Sequence, residues 1–414
     1  MRTSSGRAVR HGSLGAAAMA LTLLGIGATP AHAESVRDMQ WHLDAMQAEE
    51  MWKISKGEGV VVAVIDSGVD DTIPDLRGQV LPGKDYSHLS GDENHDIDDH
   101  GTGMAALIAA TGARGPQKGS FGLAPKAKIL PIRIPYNQER WQVKDRVNES
   151  FSQVMANAIR FAADSQAKVI SISVGNSKSR IGPELEQAVR YALSKDKLVF
   201  AAVGNDGDRD NAAKYPSATP GVVGVAGLDE KAAWWAKSQT GPHVDLAAPA
   251  ENIVSACSKG TQLCGGSGTS DATALASASA ALIWAEHPDW TNNQVLRVML
   301  NTAGKPQGGK ERTDYIGYGA IRPRIALTDP GDPGPADVRP IPDLPAEPPV
   351  TAPASATPSA APSTTDPAAA GAPAARAAAE DEDGGSGLWI ALGVAAALLL
   401  GAAVAVPVLR SRRG

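Results

Sequence analysis

Between residues 36 and 327 the apolar positions fall into two kinds of pattern. Val60 to Ile65, Ile129 to Ile134, Val169 to Val174 and Leu198 to Val203 are short, nearly unbroken and mostly rich in β-branched residues. Gly, Pro, Asp or Asn punctuate their ends, as expected of strands buried on both faces of a parallel sheet. The second pattern returns every three or four residues. Phe151, Val154, Met155, Ala158, Ile159 and Ala162 mark one face of a helix, and Leu185, Ala188, Val189 and Ala192 mark another. Strands and helices in alternation predict βαβ units, hence an α/β fold with a mostly parallel central sheet flanked by helices. Such sheets bind ligands beyond the carboxyl ends of their strands. Chemistry is therefore expected just after each apolar run.

Two further apolar runs lie at the ends of the chain. Leu14 to Ala28 follows Arg2, Arg7 and Arg10 and leads to Ala31-His32-Ala33. That order of charge, apolar stretch and small-residue site predicts a secretory signal over residues 1–33, cleaved after Ala33; an uncleaved anchor is the alternative, although the run is short for a span. Leu388 to Leu409 carries no charge and is long enough for a transmembrane helix of ~20 residues. Glu380 to Asp383 precede it; Arg410, Arg412 and Arg413 follow it. Flanking arginines stay on the cytoplasmic side, so residues 410–414 are expected to be a cytoplasmic tail. The result is a single-pass protein of the cell membrane whose folded part is extracellular. From Asp329 the composition turns to Pro, Ala, Ser and Thr, and residues 329–387 are expected to form a disordered linker. The folded domain is then 34–328.

Composition narrows the picture further. A hydrophobic fraction of 43% suffices for a sizeable core, and a net charge of −6 with no Lys/Arg-rich run argues against nucleic acid as a partner. Cys257 and Cys264 are the two cysteines; in an exported chain they can pair and close a small loop, or remain as two free thiols. The acidic run Asp92, Glu93, Asp96, Asp98 and Asp99 offers oxygens to a hard cation. It completes no loop pattern, and a surface charge run is normally solvated, so no metal is expected.

Three residues stand out after apolar runs. Asp66 ends Val-Val-Ala-Val-Ile, His100 opens an apolar stretch within Asp99-His100-Gly101-Thr102-Gly103, and Ser270 opens a long Ala-rich stretch after Gly268-Thr269. Singly, each has an ordinary role as a turn residue, a solvated loop residue or a helix cap. Together they supply what acyl transfer needs. A serine hydroxyl becomes a useful nucleophile when a base removes its proton. Histidine titrates near neutral pH and can serve as that base, and a carboxylate fixes the imidazole tautomer and stabilises the cation it becomes.

Val64-Ile65-Asp66-Ser67-Gly68-Val69, His100-Gly101-Thr102 and Gly268-Thr269-Ser270 resemble the three signature segments of the subtilisin-like serine proteases (peptidase family S8), in that family's order of Asp, His and Ser. The resemblance spans about Trp52 to Ala326. It implies a three-layer subtilisin-like fold, a serine endopeptidase with Asp66, His100 and Ser270 as its triad, and no cofactor. Ala202-Val203-Gly204-Asn205-Asp206-Gly207 looks like the segment that supplies the oxyanion-hole asparagine, here Asn205. Ser171-Ile172-Ser173-Val174-Gly175 resembles the strand that pairs with an extended substrate, which makes Ser173 and Gly175 substrate-binding candidates. Gly241 to Pro249 is similar to a recurrent structural stretch of the family.

The short N-terminal region, the proline-rich linker and the terminal span resemble the mycosins, the membrane-anchored branch associated with type VII secretion. That resemblance implies exported proteins as substrates and a secretion complex as partner. A catalytically weak or inactive scaffold of such a complex is the alternative. Two features depart from the family. Residues 34 to about 50 leave little room for an inhibitory prosegment, and this segment is expected to pack on the body instead. After Ser270 the family continues with Met, two small residues and Pro, whereas this chain has Asp271-Ala272-Thr273-Ala274. A carboxylate at 271 suits a helix N-terminus, but would oppose an oxyanion if it faced the site.

Overall fold

The computed structural model describes residues 34–136, 150–177 and 182–344, and its main sheet starts from strand β1, Val61–Asp66. Successive strand side chains point to opposite faces, and β1 uses both. Val62 and Val64 enter one core, while Val61, Ala63 and Ile65 enter the other. Six more strands join it: β2 (Lys84–Asp85), β3 (Lys128–Arg133), β4 (Val169–Ile172), β5 (Leu198–Ala202), β6 (Val223–Leu228) and β7 (Leu246–Pro249). Their order is β2-β3-β1-β4-β5-β6-β7 and every pairing is parallel. The chain leaves β1 for β3 on one side and later crosses to β4 on the other. That reversal opens a crevice at the carboxyl ends of β1 and β4. A separate antiparallel hairpin pairs β8 (Ile253–Ala256) with β9 (Leu263–Gly266).

Helices cover both faces, as the alternation predicts. After the short N-terminal helices α1 (Val36–Met39), α2 (Trp41–Ala45) and α3 (Ala48–Met51) come α4 (His100–Ala109), α5 (Phe151–Asp164), α6 (Pro183–Ser194), α7 (Thr269–Glu286), α8 (Asn292–Thr302) and α9 (Pro323–Thr328). One core joins α5 and α6 to the sheet through Val154, Ile159, Leu185 and Val189. The opposite core holds α4, α7 and α8. All six expected positions of α5, and all four of α6, are buried.

The N-terminal segment packs on the body. Gln40 Nε2 donates to Phe121 O (2.8 Å), Trp52 Nε1 to Leu123 O (2.9 Å) and Ser55 Oγ to Leu282 O (2.7 Å). Cys257 and Cys264 lie beside each other across the β8–β9 hairpin, with their Sγ atoms 2.04 Å apart.

The expected linker departs from expectation at its start. From Asp329 to Leu344 the chain is laid on the body rather than free. Arg297 Nη1 donates to Pro333 O (2.7 Å), Gln294 Nε2 to Gly334 O (2.9 Å), and Gly221 N to Asp343 Oδ2 (2.9 Å). Ile341 is buried and Arg339 pairs with Asp343. Prolines remove donors from this segment but leave its carbonyls as acceptors, and the polar face of α8 supplies the matching donors. The remainder of the linker, the run 14–28 and residues 388–414 lie outside the described residues. Among the described residues no helix is long and apolar enough to cross a membrane.

Candidate active site

Asp66 ends β1 at the crevice and is fully buried. His100 is the first residue of α4, and the helix starts against the strand end because residue 101 is glycine. A Cβ at Gly101 would lie 2.1 Å from Gly68 O and 3.0 Å from the Asp66 Cβ. The close approach lets His100 Nδ1 meet Asp66 Oδ1 at 2.7 Å. Because a carboxylate only accepts, Nδ1 carries the proton and Nε2 is left with a free lone pair. Asp66 Oδ1 also accepts from Ser67 N (2.7 Å). The α4 terminus is held by neighbours rather than by its own N-cap, Asp99. Gly101 N donates to Ser67 Oγ (2.9 Å) and Thr102 N to Asp96 Oδ2 (2.8 Å).

Ser270 is the second residue of α7, and 9% of its surface is exposed. Its hydroxyl donates to Ser173 O, just beyond β4, at 3.4 Å. Asn205 follows β5 through Gly204, whose φ of +112° and tight surroundings require glycine: a Cβ there would lie 1.7 Å from Gln239 Oε1. Asn205 Oδ1 accepts from Thr269 N and Thr269 Oγ1, both at 2.9 Å, which leaves its Nδ2 donor unspent on that side. Among the described residues no acceptor takes the Ser270 N–H.

Ser270 stands between two clefts. One, about 290 Å³, is lined by Ser173, Gly175, Gly204, Asn205 and Lys214, whose ammonium pairs with Asp206 at 2.8 Å. The other, about 350 Å³, is lined by His100, Met104, Asn205, Gly266 and Asp271. All the residues expected to act at the site, Asp66, His100, Ser270, Asn205, Ser173 and Gly175, thus converge at the carboxyl edge of the sheet. No residue of the segment 34–55 lines either cleft.

The electrostatics make His100 a stronger base than an ordinary imidazole. Burial by itself lowers the His100 pKa, but the charge and hydrogen bond of Asp66, with Asp271 and Asp96 behind it, outweigh that and hold it above the ordinary value. Burial pushes the Asp271 carboxyl up to about 7, against the pull of His100 and of the backbone N–H groups of Asp271 and Gly268. Burial likewise raises Asp96, although Thr102 and Ser67 donate to it. The acidic run is therefore partly structural: Asp96 ties β1 to α4, and Asp99 accepts from Ser258 N at 2.9 Å.

Sequence reasoning missed three contributors. The Tyr136 ring packs on the imidazole, with centroids 4.4 Å apart, and lines both clefts. Its position just past β3 was the available signal. Asp96, read only within the acidic run, and Thr269, read only as part of Gly268-Thr269-Ser270, orient Ser67 and Asn205.

The sequence pattern of the subtilase family, Peptidase S8, matches residues 57–319. Thermitase from Thermoactinomyces vulgaris is 34% identical over 270 residues, covering 65% of this chain and 90% of the relative. Mycosin-1 from Mycobacterium tuberculosis is 32% identical over 359 residues, covering 75% of this chain and 79% of the relative. A chain in the solved structure of an intact ESX-5 inner membrane complex superposes with a TM-score of 0.61 at 28% identity, covering 79% of this chain and 84% of that one.

Proposed function

Since the chain belongs to the subtilase family of serine proteases, we propose that Asp66, His100 and Ser270 are its catalytic triad and that it cleaves peptide bonds in exported proteins. The observation that carries this is the 2.7 Å contact of His100 Nδ1 with Asp66, which leaves Nε2 as a base in the cleft that Ser270 lines. The Ser270 hydroxyl turns from Ser173 O to Nε2, loses its proton to it and attacks the scissile carbonyl. Asn205 Nδ2 and the Ser270 N–H, at a helix N-terminus, donate to the developing oxyanion. The imidazolium, stabilised by Asp66, gives its proton to the leaving nitrogen as the C–N bond breaks. Water, deprotonated by His100, then releases the acyl group. Extended substrate pairs with the backbone at Ser173 to Gly175.

The relation to mycosin-1 and to a chain of an ESX-5 inner membrane complex supports a place beside a type VII secretion complex. Residues 1–33 serve as export signal and 388–409 as anchor, with the protease outside the membrane and Cys257 and Cys264 paired in that oxidising environment. The match within a membrane complex also favours a second role as scaffold. A fluorophosphonate probe tests the enzyme: wild type labels, and Ser270→Ala does not. Folded wild type that fails to label leaves only the scaffold.

A further inference from the structure

The residue after the nucleophile has no assigned task. Asp271 is 9% exposed and lines the 350 Å³ cleft beside Ser270 and His100. No lysine or arginine pairs with it among the described residues, and His100 is the sole cation acting on it. A buried carboxylate without a counterion is costly. Its first-turn backbone N–H groups offset part of that cost.

The cleft it faces can be assigned a direction by chemistry. His100 must hand its proton to the leaving nitrogen, and His100 lines this cleft but not the 290 Å³ one. The 290 Å³ cleft, with Asn205 and the strand edge at Ser173 to Gly175, therefore takes the acyl side. The 350 Å³ cleft takes the first residue of the leaving side.

We propose that Asp271 determines specificity on the leaving side, selecting substrates with Lys or Arg immediately after the scissile bond. The arriving ammonium or guanidinium supplies the counterion that the cleft lacks, and a carboxylate at the same place is repelled. Lys214 and Asp206, which neutralise each other across the other cleft, give the acyl side no such bias. This selectivity rests on the protease assignment above.

The test uses full-length protein and internally quenched peptides randomised on the acyl side, with Lys, norleucine or Glu as the first leaving-side residue. Norleucine matches the lysine stem without its charge. Wild type should favour Lys over norleucine by about tenfold in kcat/KM, with Glu last, and Asp271→Asn should bring the Lys-to-norleucine ratio close to one. Equal cleavage of the three by wild type, or a ratio unchanged in Asp271→Asn, overturns the proposal. If Asp271→Asn does not fold, the wild-type ratio decides alone. Fluorophosphonate labelling of wild type separates the two levels: labelling without Lys preference sinks only the selectivity, and absent labelling sinks the protease assignment and this with it.

Discussion

The outer helices α5 and α6 and the inner helices α4 and α7 are built to opposite rules. The outer pair bury one face and expose the other, and their starts are conventional: Ser150 Oγ accepts from Gln153 N at 3.2 Å, and Pro183 opens α6. The inner pair are buried almost all round, from Gly101 to Ala109 and from Thr269 to Trp284, and neither is capped by its own N-cap side chain. Their first-turn N–H groups go to Ser67, Asp96 and Asn205, or stay unspent at Ser270. The outer helices spend their termini on stability. The inner ones reserve theirs for the site, while packing on every side fixes the reacting groups in advance.

The severest test of that division lies where α4 meets β1. Asp66→Asn keeps the shape but presents the wrong tautomer, and should lower turnover about 10⁴-fold, or ~5 kcal/mol of barrier. Its residual activity should also move along the pH axis. A base role for His100 requires the neutral ring, so activity is expected to rise as pH climbs through its pKa, which Asp66 holds above the ordinary value. With that carboxylate gone, burial is the main influence left, and it lowers the pKa. The acid limb of the profile shifts to lower pH. A pH–rate profile that stays in place contradicts the assignment of His100 as base.

Packing gives the next largest contrast. Leu107, on α4, is fully buried, whereas Gln187, on α6, faces solvent. Leu107→Ala should cost ~2–5 kcal/mol of stability, because its surroundings cannot collapse into the space left. Gln187→Ala should stay within ~0.5 kcal/mol. Urea melts of the full chain compare them, and similar costs would mean that the inner helices are no more tightly held than the outer.

The same division explains what could be read from the sequence. The outer helices announced themselves by their 3.6-residue period, and β1, β3, β4 and β5 by dense apolar runs. Helix α7 offers no period because every side of it is buried, and it was legible only as an Ala-rich stretch. β2 has two residues, and β6 and β7 are diluted by Gly, Ala and Pro, so none made a run worth marking. The residues converging at the site were found through their motifs. What holds them was not legible: Asp96 stood only in an acidic run, Thr269 only beside Ser270 and Tyr136 in no pattern, since the contacts that matter are with neighbours distant in the chain. Composition misjudged residues 329–344 for a related reason: it counts missing apolar residues in the segment but not the donors waiting on α8.

The smallest effects come from exchanging the caps themselves. Gly268, the N-cap of α7, is extended, with φ of −173°, and a Cβ there meets nothing closer than 3.4 Å. Gly268→Ser should therefore fit. Its hydroxyl would accept from the second or third N–H of the helix, those of Ser270 and Asp271. Stability gains a few tenths of a kcal/mol, while competition for the Ser270 N–H slows turnover about tenfold, short of the 100-fold or more that follows outright loss of an oxyanion donor. Ser150→Ala does the reverse on α5. It removes a cap that lines neither cleft beside Ser270, costs ~1 kcal/mol in a melt and leaves kcat where it was. If Ser150→Ala slowed turnover as much as Gly268→Ser, the two kinds of helix start would not differ in function, and the Ser270 N–H would have no special claim as an oxyanion donor.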